Sequence, residues 1–279
     1  MDEKRTGYSL RAPGFSGPSQ YLPGRGSFPR VDDHLVVPEL TRDEIINGRR
    51  VVAHPALPPH ANQHSDLDYV LRAHAAPGYR SASDLLTRVG EKSDFATDAC
   101  IYKEGLDPST GARHLEEIAF EVVSEQRDGN VTEKAKEMQR RGVRRIFAVF
   151  VKNPRVCEWS AVSQSWHPLE AGSSIEDRCL VKPLAVAALL DAALADNAVA
   201  EALLAKGNPV LQKREAAAEA KGEARGKAAS ILEILAAREI AVSPVQKQEI
   251  LGCQDLDRLS LWLRRAALAS SADDITAEP

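Results

Sequence analysis

Glu121 places a carboxylate in the run AFEVVS, whose other residues predict a buried β-strand. An ionisable group is costly to bury unless it is paired, hydrogen-bonded, protonated or bound to a metal. Two residues nearby in the sequence could supply partners. Asp98 lies in TDACIY, the predicted strand before, and Lys134 lies in the helix predicted after Glu121. The three side chains are therefore candidates for one site.

Helical spacing predicts that Lys134 points inward. The apolar stripe of its helix consists of Val131, Ala135 and Met138. Lys134 falls on this stripe, because residues three and four apart share one face of a helix. Lys136 lies about 200° away around the helix and is expected to be solvated. We therefore expect Asp98, Glu121 and Lys134 to converge at one end of a sheet.

Two carboxylates and an ammonium are suited to metal-assisted phosphodiester hydrolysis. Carboxylate oxygens bind Mg²⁺ and leave coordination positions for water. The ion polarises the phosphate and lowers the pKa of bound water, and an ammonium orients that water or offsets transition-state charge. The residues alone leave alternatives open. Glu121 could reach solvent at a sheet edge, Lys134 could extend its ammonium into water, and Asp98 could cap a turn.

The elements that must position these residues predict a mixed sheet flanked by helices. A hairpin is predicted around Asn47-Gly48, a pair that favours a type I′ turn. The segments that follow it are the helix NQHSDLDYVLRAHA, the strands TDACIY and EIAFEVVS, the helix GNVTEKAKEMQRRGV, the strand RRIFAVFV and the edge hairpin RVCEWSAVSQSWHPL. Asn130 is the predicted N-cap of the second helix, with Glu133 as its capping-box partner. The fold class is therefore α/β.

Composition divides the chain into four predicted parts. Residues 1–40 are rich in Gly, Pro and Ser and predict a flexible arm. Residues 41–171 predict the mixed-sheet core, residues 172–230 an alanine-rich, charged helical connector, and residues 231–279 a small helical tail. Ser243-Pro244 and Asp255 are the helix-start signals of this tail. Such a tail favours docking or formation of a homo-oligomer.

The charge and cysteine content exclude several classes of protein. Lys and Arg total 36 against 40 for Asp and Glu, a net charge of -4, so no global basic field attracts nucleic acid. The four cysteines form no C-x-x-C pair, which argues against a zinc knuckle or a disulfide framework. No apolar run suits a signal peptide or a membrane span. We expect a cytoplasmic protein with no membrane partner.

An ordered set of motifs resembles the PD-(D/E)XK nuclease superfamily, and within it the bacterial Uma-type "putative restriction endonuclease" branch. The set comprises DEIINGRRVV, PALPPH, TDACIY, FEVVSEQ, EKAKEMQRRGV and RRIFAVFVKNP, in that order. The resemblance covers roughly residues 41 to 170. Three positions depart from the family pattern: Thr97 replaces a proline, Val123 occupies the usual lysine position, and Met138 stands where the branch tends to have Tyr.

The resemblance implies a restriction-endonuclease-like core that acts as a Mg²⁺-dependent DNA endonuclease, with Mn²⁺ as a substitute ion. Asp98 and Glu121 would be the metal ligands, Lys134 the catalytic lysine and Glu44 a further carboxylate at the site. The branch often places its lysine on the helix, where Lys134 stands. The rival hypothesis is a non-catalytic interaction or scaffold protein with a degenerate nuclease fold, which Val123 and the acidic balance favour.

His60 and a basic run are weaker candidates for contact with phosphate. His60 lies in PPHANQH, and a lone loop histidine is more often incidental. The basic run consists of Arg140, Arg141, Arg144 and Arg145. Solvated charge at a helix end is the alternative interpretation of this run.

Overall fold

The computed structural model describes residue 24 and residues 26–35, 43–52, 57–124 and 128–276. Most of the predicted N-terminal arm, residues 1–23, 25 and 36–40, lies outside the described residues. Its described part contacts the sheet: Val31 is buried and its carbonyl accepts a hydrogen bond of 2.9 Å from the amide of Arg88. The chain divides into two units, residues 1–206 and residues 207–279.

The first unit contains ten strands, three α-helices and one 3₁₀ helix among its described residues. In chain order they are β1 (Asp43–Ile46), β2 (Arg49–Val52), α1 (Pro58–His74), β3 (Tyr79–Gly90), β4 (Ser93–Lys103), β5 (Glu116–Val123), α2 (Asp128–Arg141), β6 (Arg145–Phe150), β7 (Arg155–Ser160), β8 (Ser165–Pro168), β9 (Ser174–Ile175), β10 (Leu184–Ala185), the 3₁₀ helix (Val186–Leu189) and α3 (Ala192–Ala205).

Eight of these strands form one mixed sheet. Its order is β2-β1-β4-β5-β6-β7-β8, and β3 also pairs with β4. Strands β5 and β6 are parallel and joined through α2, whereas the flanking pairs β4–β5 and β6–β7 are antiparallel. A parallel pair needs such a crossover, because a tight turn between two neighbouring strands makes them antiparallel. The predicted α/β class, with a mixed sheet, flanking helices and a helical C-terminal extension, is confirmed.

Helices cover both faces of the central strands. On β5, Ile118, Phe120 and Val122 pack in a cluster with residues of α1 and α3. Ala119 packs instead with residues of α2. Because alternate residues of a strand point to opposite faces, Glu121 shares the α2 side with Ala119. The second carboxylate-bearing strand, β4, lies next to β5 in the sheet.

The hairpin prediction is confirmed, one helix-cap prediction is wrong, and one strand was missed. Asn47 and Gly48 both have positive φ, 51° and 77°, as a type I′ turn requires. Asn130 is not a helix cap, because α2 already begins at Asp128. The long strand β3 was not predicted, since its sequence YRSASDLLTRVG is polar and only partly buried. Pairing with β4 along its length defines it.

The buried core of the first unit extends beyond residue 171. Ile175, Leu184, Val186 and Val199 belong to the same apolar cluster as Phe120. A domain boundary at residue 171 would cut this cluster, because β9, β10 and α3 supply apolar side chains that cover the α1 side of the sheet. The division of the chain falls instead between residues 206 and 207.

Up to residue 276, where the described part of the chain ends, the second unit contains four helices: α4 (Pro209–Ala237), α5 (Pro244–Gly252), α6 (Leu256–Ala266) and α7 (Asp273–Thr276). Ser243 caps α5 through a capping box with Gln246, and Asp255 caps α6, so both helix-start predictions are confirmed. The predicted tail residues Leu235, Leu259 and Trp262 lie in its buried cluster. Among the described residues, no helix is long and apolar enough to cross a membrane.

Candidate active site

The site is centred on Glu121, whose side chain is fully buried on the α2 side of β5. Its Oε2 accepts a hydrogen bond of 3.3 Å from Nζ of Lys134. Its Oε1 is buried and has no hydrogen-bond partner among the described residues. A buried oxygen of this kind normally has a partner, so it marks the place of an unsatisfied interaction.

Lys134 projects from α2 into the sheet, as the helical spacing predicts. Its side chain is 5% exposed, whereas Lys136 on the same helix is exposed. The ammonium donates to three acceptors: Glu44 Oε1 at 2.9 Å, the carbonyl of Ala96 at 3.0 Å and Glu121 Oε2 at 3.3 Å. An ammonium has three donors, so its hydrogen-bonding capacity is fully used.

Glu44 comes from β1 and Asp98 from β4. Glu44 Oε1 accepts a second hydrogen bond, of 3.2 Å, from the amide of Ala96. Asp98 is half-buried, and its Oδ2 accepts a hydrogen bond of 2.5 Å from the amide of Val122. Asp98 and Glu121 are the positions immediately beyond the paired residues Ala99 and Phe120. The sheet thus brings three separate strands and α2 together at these side chains.

The pKa values of Glu121 and Lys134 are both raised, for different reasons. The pKa of Glu121 is raised to about 8, mainly by burial, with a smaller rise from the charges of Asp98 and Glu44 and an opposing effect of Lys134. Burial alone would lower the pKa of Lys134, but Glu121, Glu44 and Asp98 outweigh it and hold that pKa above its ordinary value. Lys134 is therefore cationic at neutral pH, and Glu121 is poised to lose a proton when a cation approaches.

The residues fit a hard divalent cation. Asp98 and Glu121 offer carboxylate oxygens, the ligands that Mg²⁺ prefers. The unpartnered Oε1 of Glu121 lacks the interaction that a bound cation would provide. Lys134 and Glu44 are already bonded to each other, so they are better suited to orient the carboxylate than to bind an ion.

A group that the sequence analysis missed lies around Asp98. Ligand atoms of His64, Asp84 and Asp98 all lie within 4.8 Å of one another. His64 comes from α1, where its Nδ1 is 3.2 Å from Oδ2 of Asp68, and its Nε2 is 3.5 Å from Oδ1 of Asp84. The neighbouring carboxylates of Asp68 and Asp84 raise the pKa of His64 to about 10, against the opposing effect of burial.

One sequence signal could have found part of this group. His60, His64 and Asp68 are spaced four residues apart, which places them on one face of α1. No pattern pointed to Asp84. His60 itself lies 3.2 Å from the hydroxyl of Ser124, at the end of β5. The loop histidine predicted as a weak candidate is thus on the first turn of a helix.

The basic run is occupied by contacts within the protein. Arg140 pairs with Glu137 at 2.8 Å, and Arg141 donates to the carbonyl of Pro29 at 2.6 Å. The other two arginines bond to carboxylates: Arg144 to Glu117 and Asp177, and Arg145 to Glu158. These contacts favour a structural role for the run.

A mixed sheet that carries acidic residues on neighbouring strands, with a lysine reaching them from the crossover helix, defines the restriction-endonuclease-like class. Residues 31–187 match the model of the family Uma2, described as "Putative restriction endonuclease". The match spans more than half of the chain, so this protein belongs to that family.

One solved structure similar to this chain is described as a "putative nuclease belonging to DUF820" from Anabaena variabilis ATCC 29413. It is 13% identical in sequence, with 55% of this chain and 90% of that chain covered and a TM-score of 0.45. A comparison with curated proteins finds no match.

Proposed function

We propose that this protein is a Mg²⁺-dependent endonuclease that hydrolyses DNA phosphodiester bonds, with Mn²⁺ as a substitute ion. The observation that carries the proposal is the buried carboxylate of Glu121. It contacts Lys134 through one oxygen and has no partner for the other. Membership of a family described as restriction endonucleases supports DNA as the substrate.

Asp98 and Glu121 would hold the ion, which when bound polarises the scissile phosphate and lowers the pKa of a coordinated water. The amide of Val122 fixes one oxygen of Asp98, and Lys134 fixes one oxygen of Glu121. The two carboxylates are therefore oriented before a ligand arrives, which reduces the reorganisation needed during the reaction.

Lys134 would supply positive charge at the site. Its ammonium is held by Glu44, Ala96 and Glu121, so the charge stays in place without conformational search. A fixed cation stabilises negative charge that develops on phosphate oxygens more effectively in a dry site than in water. Val123, in the usual lysine position, is buried in an apolar cluster with Val131 and Ala148, so α2 supplies the cation instead.

The rival proposal is a non-catalytic scaffold that retains the fold. Val123 in place of lysine, together with the net charge of -4, favours this alternative. The buried Lys134 favours the enzyme, because an ammonium among three acceptors in the interior is costly to desolvate. An apolar residue would fill the same space at lower cost if packing were the only role of this position.

Cleavage of supercoiled plasmid DNA tests the proposal. The purified full-length chain should nick or cut DNA with Mg²⁺ or Mn²⁺, and EDTA should abolish cleavage. Asp98→Ala and Glu121→Ala should remove activity while circular dichroism shows a retained fold. Lys134→Ala should slow cleavage by about 10²-fold, the effect of losing one transition-state contact.

Lys136→Ala is the matched control, because it removes the same group from the exposed face of the same helix. It should leave cleavage unchanged. Equal loss from both lysine variants would contradict the assigned role of Lys134. Absence of cleavage on DNA and RNA with either ion would favour the scaffold proposal instead.

Two further predictions accompany this function. The buried, unpaired thiols of Cys100, Cys157 and Cys179 are consistent with a reducing compartment, and we propose the cytoplasm. Self-association through residues 231–279 remains a prediction. Light scattering measures the number of chains per particle for the full chain and for a chain ending at residue 206. The same number of chains per particle in both would contradict the prediction.

A further inference from the structure

His64, Asp84 and Asp98 form a cluster that the proposed cleavage reaction does not require. The three residues come from α1, β3 and β4, and their ligand atoms all lie within 4.8 Å of one another. Ligands bound to one metal at about 2.1 Å lie roughly 3–4 Å apart, so a small movement of the side chains would complete such a site. One imidazole and two carboxylates form a mixed nitrogen and oxygen donor set.

One ring nitrogen of His64 contacts a carboxylate, and the other faces the cluster, as in many histidines that bind metals. Its Nδ1 is 3.2 Å from Oδ2 of Asp68, one turn further along α1 and outside the cluster. The other ring nitrogen, Nε2, is buried and has no hydrogen bond of good geometry among the described residues, although Oδ1 of Asp84 lies 3.5 Å away. Histidines that bind metals typically donate their second ring N–H to a carboxylate in this manner.

The charge of the surroundings also calls for a cation. Asp84 and Asp98 approach each other from neighbouring strands, and Asp68 lies behind His64. Carboxylates directly opposite one another across a sheet are mutually repulsive.

We propose that His64, Asp84 and Asp98 bind a divalent transition-metal ion of the zinc type, at a position next to the one that Asp98 and Glu121 provide for Mg²⁺; the ion takes the place of the proton on Nε2 of His64, which is released to solvent. Imidazole nitrogen selects Zn²⁺ over Mg²⁺, which prefers oxygen ligands alone. Asp68 is a positioning residue that fixes the ring of His64. The inference extends the proposed function, because Asp98 is common to both positions.

Zn²⁺ binding to the full-length protein tests the inference without any measurement of cleavage. Isothermal titration calorimetry in excess Mg²⁺ should show binding of Zn²⁺ by the wild type, since Mg²⁺ competes poorly for an imidazole. His64→Ala and Asp84→Asn should each weaken it by at least about tenfold, and Asp68→Asn by about 10–100-fold. His167→Ala is the control, because that ring lies on the surface beside Ser163 and should leave binding unchanged.

¹⁵N NMR of the wild-type protein tests the same site without depending on whether the variants fold. The protein has seven histidines, and with their rings labelled with ¹⁵N, Zn²⁺ should shift Nε2 of His64. Unchanged affinity in His64→Ala and Asp84→Asn, or a shift confined to other histidines, would overturn the inference. If Zn²⁺ binds at His64 but the protein cleaves no DNA, the zinc inference is supported and the nuclease proposal is contradicted. If the protein cleaves DNA but Zn²⁺ does not bind at His64, the nuclease proposal is supported and the zinc inference is contradicted.

Discussion

Replacing Glu121 with glutamine isolates the cost of a buried charge, because the amide keeps the size of the side chain and removes its titration. The pKa of Glu121 is about 8 against an ordinary 4.5, with burial as the main cause. Between these values the folded protein retains a proton that the unfolded chain has released. Stability of the metal-free protein therefore falls as pH rises through this window.

The expected magnitude follows from the pKa difference. Each tenfold change in proton affinity corresponds to about 1.4 kcal/mol, so at pH 7 the ionisable carboxyl destabilises the fold by about 3 kcal/mol relative to a group that stays neutral. Glu121→Gln should raise the free energy of unfolding by this amount at pH 7 and by less than about 1 kcal/mol at pH 5. Lys134 keeps Glu44 as its partner in the variant.

Urea denaturation in EDTA measures the effect. Trp159 and Trp166 lie in the first unit and Trp262 in the second, so a Trp262→Phe background makes the fluorescence report the first unit alone. Glu133→Gln is the control, because its carboxylate is 46% exposed and paired with Arg49, and it should change stability by no more than about 0.5 kcal/mol.

Mg²⁺ should cancel most of this difference in stability. An ion at one hundred times its dissociation constant adds about 2.7 kcal/mol to the wild type, and the variant lacks a ligand for it. A variant that is less stable than the wild type at pH 7, or a gain of equal size at pH 5 and pH 7, would refute the assignment. The assignment is a carboxyl at position 121 that burial keeps protonated at pH 7.

Three further predictions concern the architecture. Burial would raise the pKa of Asp177, but Arg144 and the amide of Cys179 hold it below the ordinary value. Its contribution to stability is therefore present in full above about pH 4 and is lost as the pH falls toward the lowered pKa, so Asp177→Asn should cost about 2 kcal/mol at pH 7 and progressively less below pH 4, by urea denaturation. Trp262→Ala should destabilise the second unit by about 3–5 kcal/mol in calorimetry and leave the melting of the first unit unchanged. A chain ending at residue 206 should melt cooperatively, and loss of that transition would place the C-terminal helices in its core.

Local signals in the sequence determined several features of the site. The Asn47-Gly48 turn requires two positive φ values, which few other residue pairs tolerate, so the hairpin that carries Glu44 was predictable. Helical periodicity determined that Lys134 points inward and Lys136 outward. The apolar character of β5 determined that Glu121 is buried, since the residues around it leave no solvated face.

Tertiary structure alone decided which distant residues meet. The polar strand β3 exists because it pairs with β4, and only that pairing brings Asp84 next to Asp98. The end of the first unit at residue 206 depends on apolar side chains of β9, β10 and α3 that cover the sheet. Periodicity reports which face of an element is buried, but strand partners are chosen by the free energy of burying the whole core, to which residues far apart in the chain contribute together.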